Sequence, residues 1–209
     1  RAMPLSVWLL EAPALLDSGE EAAVLNKLLP GRRERVAAGN RTTRLAAYAL
    51  EAVLLQRCTG LRRDQLSLGL SPTGKPFLPG CPSCRYNLSH SGTAVLLGIS
   101  DQEIGVDIET IRVLSPRVLR RCFTPAETEW CGQDAAKMTA LWTQKEAYSK
   151  WSGQGLAQVL AGIDTRQEKT AQLLTTFREG DWAASVCSAV PFCKELVQRM
   201  TWDELRHAL

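Results

Sequence analysis

The spacing of apolar residues along the chain changes repeatedly between that of a strand and that of a helix. Apolar runs of strand length, bounded by turn residues, predict strands over residues 4–11, 93–100, 104–109, 159–165, 170–178 and 182–190. Apolar residues at helical spacing predict helices over residues 18–29, 40–57 and 135–151. The chain is therefore expected to mix short strands with helices.

Capping residues place several helix boundaries. Asn40 is a candidate N-cap, and Gly60 a candidate stop, for the second helix. In FTPAETEW, Thr124 precedes Pro125 and lies three residues before Glu127, which is the pattern of a capping box. Capping accounts for Glu127 in full, so the sequence indicates no catalytic role for it.

The composition is that of an ordinary globular protein. The 209 residues are 45% hydrophobic and 22% charged, which is enough for a sizeable core in one domain or two small ones. A net charge of +3 with dispersed Lys and Arg gives no reason to expect nucleic-acid binding. No apolar run reaches the ~18 residues of a membrane span. No secretory signal is visible, and the odd number of seven cysteines favours a reduced, cytoplasmic chain.

Three carboxylates on two predicted elements could converge on one cation. Asp107 and Glu109 are two residues apart on the predicted strand of GVDIE and so share one face, while Glu146 lies on the helix predicted over 135–151. Carboxylate oxygens favour Mg²⁺ or Mn²⁺ over zinc. The alternative is a solvated strand edge together with a helical ion pair between Glu146 and Lys150, which are four residues apart.

The segment NLSHSG (87–92) surrounds a histidine with small hydroxyl side chains and ends in a glycine. We expect a turn whose backbone could donate hydrogen bonds to phosphate oxygens, with His90 adding charge as an imidazolium. Alternatively, His90 is a turn residue packed between strands, and Ser89 and Ser91 merely form the turn. A serine hydrolase receives little support, since the sequence has no G-x-S-x-G motif and no clear acid partner.

Two cations are further candidates to meet an anionic ligand. Lys75 lies in the Gly-Pro turn of TGKPFL (73–78), and Arg41 lies at the start of a predicted helix, where the helix dipole favours anions. A solvated loop and a solvated helix surface explain them as well. The cysteines of CPSC (81–84) have no second pair or histidine partner at zinc-binding spacing, so a metal or redox role receives little support.

Taken in order, five segments resemble the motif set of a known family, the 4′-phosphopantetheinyl transferases. They are GKP (74–76), NLSHS (87–91), GVDIE (105–109), FTPAE (123–127) and WTQKEAYSKWSGQGL (142–156). The chain length and the flanking sequences resemble the surfactin-type branch of that family. The third and fifth motifs are the specific ones, and the resemblance extends over nearly the whole chain.

The resemblance implies an α+β fold of two similar subdomains related by a pseudo-twofold, each a small antiparallel sheet with helices. The subdomains would cover residues 1–102 and 103–209, with coenzyme A bound in the cleft between them. By the same analogy the protein would be a monomer.

Roles for individual residues are likewise implied by the resemblance. Coenzyme A would meet Arg41 and His90 at its 3′-phosphate or pyrophosphate, Gly74, Lys75 and Pro76 on the adenine side, and Ser89 on the phosphate side. Magnesium, or manganese in its place, would be held by Asp107, Glu109 and Glu146. Lys150 would meet the diphosphate, Glu146 would take the proton of the attacking serine, and His90 would assist catalysis.

The implied reaction moves 4′-phosphopantetheine from coenzyme A to a serine of an acyl or peptidyl carrier protein and releases 3′,5′-ADP. The segment after GVDIE suits an acidic carrier, because Ile111, Val113, Leu114 and Leu119 alternate there with Arg112, Arg117, Arg120 and Arg121. An ordinary core helix with a basic wet face explains that segment equally well. Two other functions stay open: a coenzyme A or nucleotide-binding module without turnover, and a metal-dependent phosphohydrolase.

Overall fold

A computed structural model describes residues 3–36, 40–160 and 162–209 of the chain. The strands are β1 (Ser6–Glu11), β2 (Gly69–Leu70), β3 (Pro76–Phe77), β4 (Arg85–Ser91), β5 (Ala94–Ser100), β6 (Ile104–Thr110), β7 (Leu174–Glu179), β8 (Trp182–Ser188) and β9 (Val197–Met200). The helices are α1 (Ser18–Leu25), α2 (Arg41–Thr59), α3 (Pro116–Cys122), α4 (Pro125–Cys131), α5 (Ala135–Ser152), α6 (Leu156–Val159), α7 (Glu168–Ala171) and α8 (Trp202–Ala208).

The strands form two main sheets and a small hairpin. One sheet has the order β4-β5-β1-β9, in which only the β1–β9 pair is parallel, and the other has the antiparallel order β6-β8-β7. The hairpin pairs β2 with β3 over two residues each. The predicted α+β class with small antiparallel sheets and helices is confirmed.

The end of the chain returns to the sheet formed by its beginning. β9 lies beside β1, with Val7 opposite Val197, and Met200 and Leu205 belong to the same core cluster as the buried side of α2. The pseudo-twofold and the boundary near residue 102 stay predictions. The described part of the chain contains no helix that is long and apolar enough to cross a membrane.

The two main sheets meet where β4 runs beside β6. This seam, as we call the contact between β4 and β6, is made by side chains of β4 that accept hydrogen bonds from backbone N–H groups of β6. The bonds run from Val106 to Asn87 (2.8 Å), from Ile108 to Ser89 (3.4 Å) and from Thr110 to Ser91 (3.1 Å). The two-residue repeat of these polar side chains therefore matches the two-residue repeat of the strand they serve.

The turn expected over residues 87–92 is wrong. Residues 85–91 are strand β4, and only Gly92, with a φ of +59°, lies in the turn that follows. Polar residues made this strand look like a turn in the sequence. Their side chains accept hydrogen bonds from the neighbouring sheet and do not face water. Ser89 and His90 therefore lie in a strand that pairs antiparallel with β5, and not in a turn.

Two other boundaries differ from the expectation. The strand predicted over 159–165 is wrong: the short helix α6 ends at Val159, and Leu160 caps it. Val159 is fully buried, so this apolar segment reaches the core from the last residue of a short helix and not from a strand. The helix predicted over 18–29 ends at Leu25, and Leu29 is buried in the irregular turns that follow.

Helix α5 packs against β6, and a glycine permits the close approach. Asp134 caps the helix start by accepting from the backbone N–H groups of Ala136 and Lys137, at 2.9 and 3.1 Å. A Cβ atom on Gly105 of β6 would lie 1.9 Å from the carbonyl oxygen of Ala147. No side chain fits at that position while α5 stays in place.

A buried ion pair holds the other side of α5. Lys145 Nζ lies 2.8 Å from Glu127 Oε2, with both side chains fully buried. The same ammonium donates to the carbonyl oxygens of Leu160 and Ile163 at 2.6 and 2.7 Å. Glu127 also forms the predicted capping box with Thr124. Its role is therefore larger than capping, because it neutralises the one charge that α5 buries on this side.

We predict that Gly105→Ala destabilises the protein by about 1–3 kcal/mol, because α5 must move to admit the methyl group. Urea unfolding measures the change. Gly80→Ala is the matched control, since a Cβ there meets nothing within 4 Å. Equal stability of the two variants would contradict the proposed contact.

Candidate functional site

The seam and α5 bring three of the predicted site residues into direct contact. Lys150 Nζ lies 2.7 Å from Asp107 Oδ1 and 3.1 Å from the carbonyl oxygen of Val106. Ser89 Oγ donates to the same Asp107 oxygen at 2.8 Å. The ion-pair partner of Lys150 is therefore Asp107 on β6, 43 residues earlier in the chain. The alternative ion pair within the helix, between Glu146 and Lys150, is not among the ion pairs of the described residues.

The other two carboxylates lie beside this contact. Ser91 Oγ donates to Glu109 Oε2 at 2.9 Å, and Glu146 projects from α5 one turn before Lys150. Burial raises the pKa of Glu146 to about 7, with a further contribution from the charge of Asp107 and partial opposition from Lys150. Burial and the charge of Asp107 also raise the pKa of Glu109. The three carboxylates thus sit close enough to oppose one another's ionisation.

His90 lies on the opposite face of β4 from Ser89, since neighbouring residues of a strand alternate. Burial lowers the pKa of His90, and the charges of Arg44 and Lys150 lower it further. The ligand-free protein therefore disfavours the imidazolium, and the pairing of a His90 imidazolium with phosphate stays a prediction. A bound phosphate would favour the protonated form.

The oxygen donors of the site fit a hard divalent cation. Asp107 is 3% exposed, and its Oδ2 is buried without a hydrogen-bond partner among the residues that the structure describes. An orphaned carboxylate oxygen beside two carboxylates with raised pKa values is what a bound cation would satisfy. Within the three described stretches, however, no group of three His, Cys, Asp or Glu side chains is close enough to form a ready-made metal site. The ligand role of Asp107, Glu109 and Glu146 stays a prediction.

A pocket of about 330 Å³ opens at the other end of the seam. Its walls include Lys75, Pro76 and Phe77 on one side and Trp151 at the end of α5 on another. Gly74, the remaining member of the predicted adenine wall, has a φ of +83° and shapes the turn that carries Lys75. Helix α5 contributes to both places: Lys150 pairs with Asp107, and the next residue, Trp151, lines the pocket.

The Arg41 side chain already has hydrogen-bond partners within the N-terminal part of the chain. Its Nε donates to Glu21 Oε1 at 2.6 Å, and a terminal nitrogen donates to the carbonyl oxygen of Val36 at 2.7 Å. Asn40 donates to the carbonyl oxygen of Gly92, so the start of α2 does reach the turn beyond β4. The phosphate contact of Arg41 stays a prediction.

Sequence reasoning missed three residues of the site. Ser91 serves Glu109 as Ser89 serves Asp107, and the two-residue spacing of a strand would have revealed it. Arg44, one turn after Arg41 on α2, is a cation whose charge reaches His90, as the charge of Lys150 does. Glu103 binds Lys75 at the pocket rim, at 2.8 Å. No local pattern marks Arg44 or Glu103, because their partners lie on other elements.

The segment after β6 presents cations on the surface. Within it, Val113 is 63% exposed and Leu114 is buried. Four arginines of the segment are exposed, and none of them forms an ion pair with another described residue: Arg112, Arg117, Arg120 and Arg121. The predicted combination of an apolar contact with surrounding positive charge is therefore present at Val113 and along α3.

Comparisons with known proteins agree on one family. A family model described as the 4′-phosphopantetheinyl transferase superfamily matches residues 103–195. A 4′-phosphopantetheinyl transferase of Bacillus subtilis is 24% identical over 91% of this chain and 95% of its own length. The 4′-phosphopantetheinyl transferase Sfp of Bacillus subtilis is 26% identical over 73% of this chain and 76% of its own. The 4′-phosphopantetheinyl transferase AcpT of Salmonella typhimurium is 32% identical over 76% of this chain and 93% of its own.

We predict that Glu146 makes the stability of the metal-free protein fall as pH rises. Its folded-state pKa of about 7 exceeds the ordinary 4.5, so the folded chain holds the proton more tightly than the unfolded chain. Between those values the loss is at most about 1.4 kcal/mol per pH unit. Glu146→Gln should therefore gain stability relative to the unchanged protein between pH 5 and pH 8, measured by urea unfolding with EDTA.

The control for this measurement is Glu129→Gln, which changes an exposed glutamate on α4. A stability difference between Glu146→Gln and the unchanged protein that is the same at pH 5 and pH 8 would contradict the raised pKa.

Proposed function

The chain belongs to the 4′-phosphopantetheinyl transferase superfamily, in its surfactin-type branch, and from that premise we propose that it transfers 4′-phosphopantetheine from coenzyme A to a serine of an apo carrier protein. The carrier would be an acyl or peptidyl carrier protein, and 3′,5′-ADP would be released. The observation that supports this most strongly is the contact of Lys150 and Ser89 with one oxygen of Asp107 while its other oxygen is buried and unpartnered.

The charges of the site suit a reaction at a diphosphate. Coenzyme A brings about four negative charges to the cleft, and Lys150, with Arg44 near His90, provides cations along it. Lys150 is bound to Asp107 in the ligand-free protein, so a diphosphate would share or replace an existing anionic partner. His90 would donate a hydrogen bond to a phosphate oxygen and gain a proton as the phosphate raises its pKa.

A divalent cation, Mg²⁺ or Mn²⁺, would be held by Asp107 and Glu109 on β6 and by Glu146 on α5. When bound, it supplies Lewis-acid neutralisation of charge on the diphosphate oxygens. The unpartnered Oδ2 of Asp107 is the atom that argues for it. Ser89 and Ser91 would orient the two β6 carboxylates from behind, through the hydrogen bonds that they already make.

Glu146 would accept the proton of the attacking serine. A serine hydroxyl is a weak nucleophile near neutral pH, so it needs a base within hydrogen-bond reach. Glu146, partly buried on the side of α5 that carries Lys150, is the carboxylate that would serve as this base. The serine Oγ would then form the bond to the phosphorus that carries the pantetheine arm, and the bond from that phosphorus to 3′,5′-ADP would break.

The carrier would dock on Val113 and α3. Carriers of this kind present a helix with acidic residues next to the modified serine, and the exposed arginines of α3 complement such a helix. Val113 would supply the apolar contact at the centre. The segment begins directly after Thr110, the last residue of β6, so a carrier bound there lies next to Glu109.

We predict that an apo carrier gains the mass of one phosphopantetheine when it is incubated with this protein, coenzyme A and Mg²⁺. A panel of fatty-acid, polyketide and peptide carriers should be weighed by mass spectrometry. Asp107→Asn should lower kcat/KM on the order of 100-fold, since it removes a carboxylate that would hold the divalent cation at the reacting diphosphate. EDTA should abolish transfer, and Mg²⁺ should restore it.

Asp64→Asn, at an exposed position outside the pocket lining, is the matched control and should keep full activity. Tight coenzyme A binding without a mass gain on any carrier would replace the proposal by a binding module without turnover. Release of 3′,5′-ADP in the absence of any carrier would favour a phosphohydrolase.

We also predict that Arg117→Glu combined with Arg120→Glu raises the KM for an acidic carrier about tenfold at low salt, because two attractive charges become repulsive. The Kd for coenzyme A should not change. Arg62→Glu, a reversal on an exposed turn of the N-terminal part, is the control. An unchanged carrier KM in the double variant would remove α3 from the docking surface.

A further inference from the structure

The loop that lines the pocket has hydrogen bonds within it but only a short hairpin at its base. We call residues 71–77 the pocket loop. Within it, the backbone N–H groups of Gly74 and Lys75 donate to the carbonyl oxygen and Oγ of Ser71, at 2.9 and 3.0 Å. Its base, however, is a hairpin in which only two residues of each strand are paired. A ladder that short contributes little stability by itself, so the position of the loop depends on contacts made by its tip.

One acidic residue connects that tip to the rest of the protein. Glu103 Oε2 lies 2.8 Å from Lys75 Nζ, and Glu103 Oε1 lies 3.0 Å from a terminal nitrogen of Arg85. Lys75 Nζ also donates to the carbonyl oxygen of Ile104 at 2.9 Å. Across residues 3–36, 40–160 and 162–209, the Lys75–Glu103 pair is the ion pair that the pocket loop makes.

The position of Glu103 gives this double contact its effect. Glu103 immediately precedes β6, while Arg85 is the first residue of β4. The carboxylate therefore ties the pocket loop to the end of the seam, and all three side chains line the pocket.

The burial of Lys75 distinguishes this contact from an ordinary surface ion pair. The Lys75 side chain is 14% exposed, while those of Glu103 and Arg85 are 46% and 42% exposed, so Lys75 is the partner that depends most on protein contacts. Without Glu103, Lys75 and Arg85 would be two cations on one pocket rim with no carboxylate between them. Their repulsion would favour an open loop, and an open loop loses its contact with a bound ring or phosphate.

We propose that Glu103 is a positioning residue that clamps the pocket loop in its closed place and thereby sets the affinity for coenzyme A. The inference rests on the proposed function for the identity of the ligand. Glu103 would not touch the reacting phosphorus. Its removal should therefore weaken coenzyme A binding and leave the chemical step intact once the site is saturated.

The test compares Glu103→Gln and Glu103→Asp with the unchanged protein. Coenzyme A binding is measured by isothermal titration calorimetry at low salt, and transfer to a carrier by mass spectrometry at saturating coenzyme A. We expect Glu103→Gln to raise the Kd about tenfold with less than a twofold change in kcat. Glu103→Asp, which keeps the charge, should recover part of the affinity. Glu179→Gln is the matched control, since Glu179 forms an exposed ion pair with Arg199 away from the pocket.

Two further measurements separate clamping from a general loss of structure. Hydrogen exchange of the peptide over residues 69–78, without ligand, should be faster in Glu103→Gln, while exchange over α5 should be unchanged. In the double variant with Lys75→Met, the loss of affinity should be smaller than the sum of the two single losses. Unchanged Kd and exchange in Glu103→Gln, or additive losses, would overturn the inference. If the unchanged protein binds coenzyme A but modifies no carrier, the proposed function fails while the clamp is still decided by the Kd and exchange data.

Discussion

The hydrogen bonds that β6 gives to the side chains of β4 join the two sheets and build the site at the same time. A serine hydroxyl can accept and donate through a single atom. Ser89 accepts from the backbone of Ile108 and donates to Asp107, and Ser91 accepts from the backbone of Thr110 and donates to Glu109. The orientation of both carboxylates is thereby fixed by the contact that holds the sheets together. A change in sheet packing would be felt at the carboxylates directly.

Helix α5 supports that arrangement with two neighbouring residues that lie about 100° apart around the helix axis and meet different surroundings. Lys145 points into the protein, where Glu127 and two carbonyl oxygens surround its ammonium. Glu146 faces the cleft, where burial and Asp107 oppose its ionisation. Burying a charge is costly unless it is fully paired, and the interior side of the helix meets that condition. On the side that faces the cleft, the charge of the Glu146 carboxylate is only partly offset by Lys150. This carboxylate therefore favours binding a cation or a proton.

Periodicity and capping predicted the parts of the structure that depend on local sequence. The strands predicted over 93–100 and 104–109, the helix predicted over 135–151 and the capping box at Thr124 follow from spacing alone, and the structure has each of them within two residues. Spacing failed over 85–91 because a strand whose polar side chains serve another sheet looks like a turn. It also suggested Glu146 as the partner of Lys150, four residues away, whereas the partner is Asp107 on β6.

The remaining failures share a physical origin. Arg44 and Glu103 act on residues from other elements, so no periodic pattern can identify them. Gly105 was visible only as part of a motif, and the close approach of α5 explains why a side chain is not tolerated there. The residues of the candidate site were named mostly from the family resemblance, and their roles stay predictions. The hydrogen bonds that hold those residues depend on how the elements pack.

The parallel pairing of β9 with β1 has a consequence for the order in which the protein can fold. β1 is made first, yet one of its two neighbours is the strand Val197–Met200, close to two hundred residues later. During synthesis the edge of β1 stays open, and open strand edges are prone to pair with other chains. The sheet that carries His90 can be completed only after residue 200 has left the ribosome. A chain stalled before that point would hold most of the site residues but lack a closed sheet to support them.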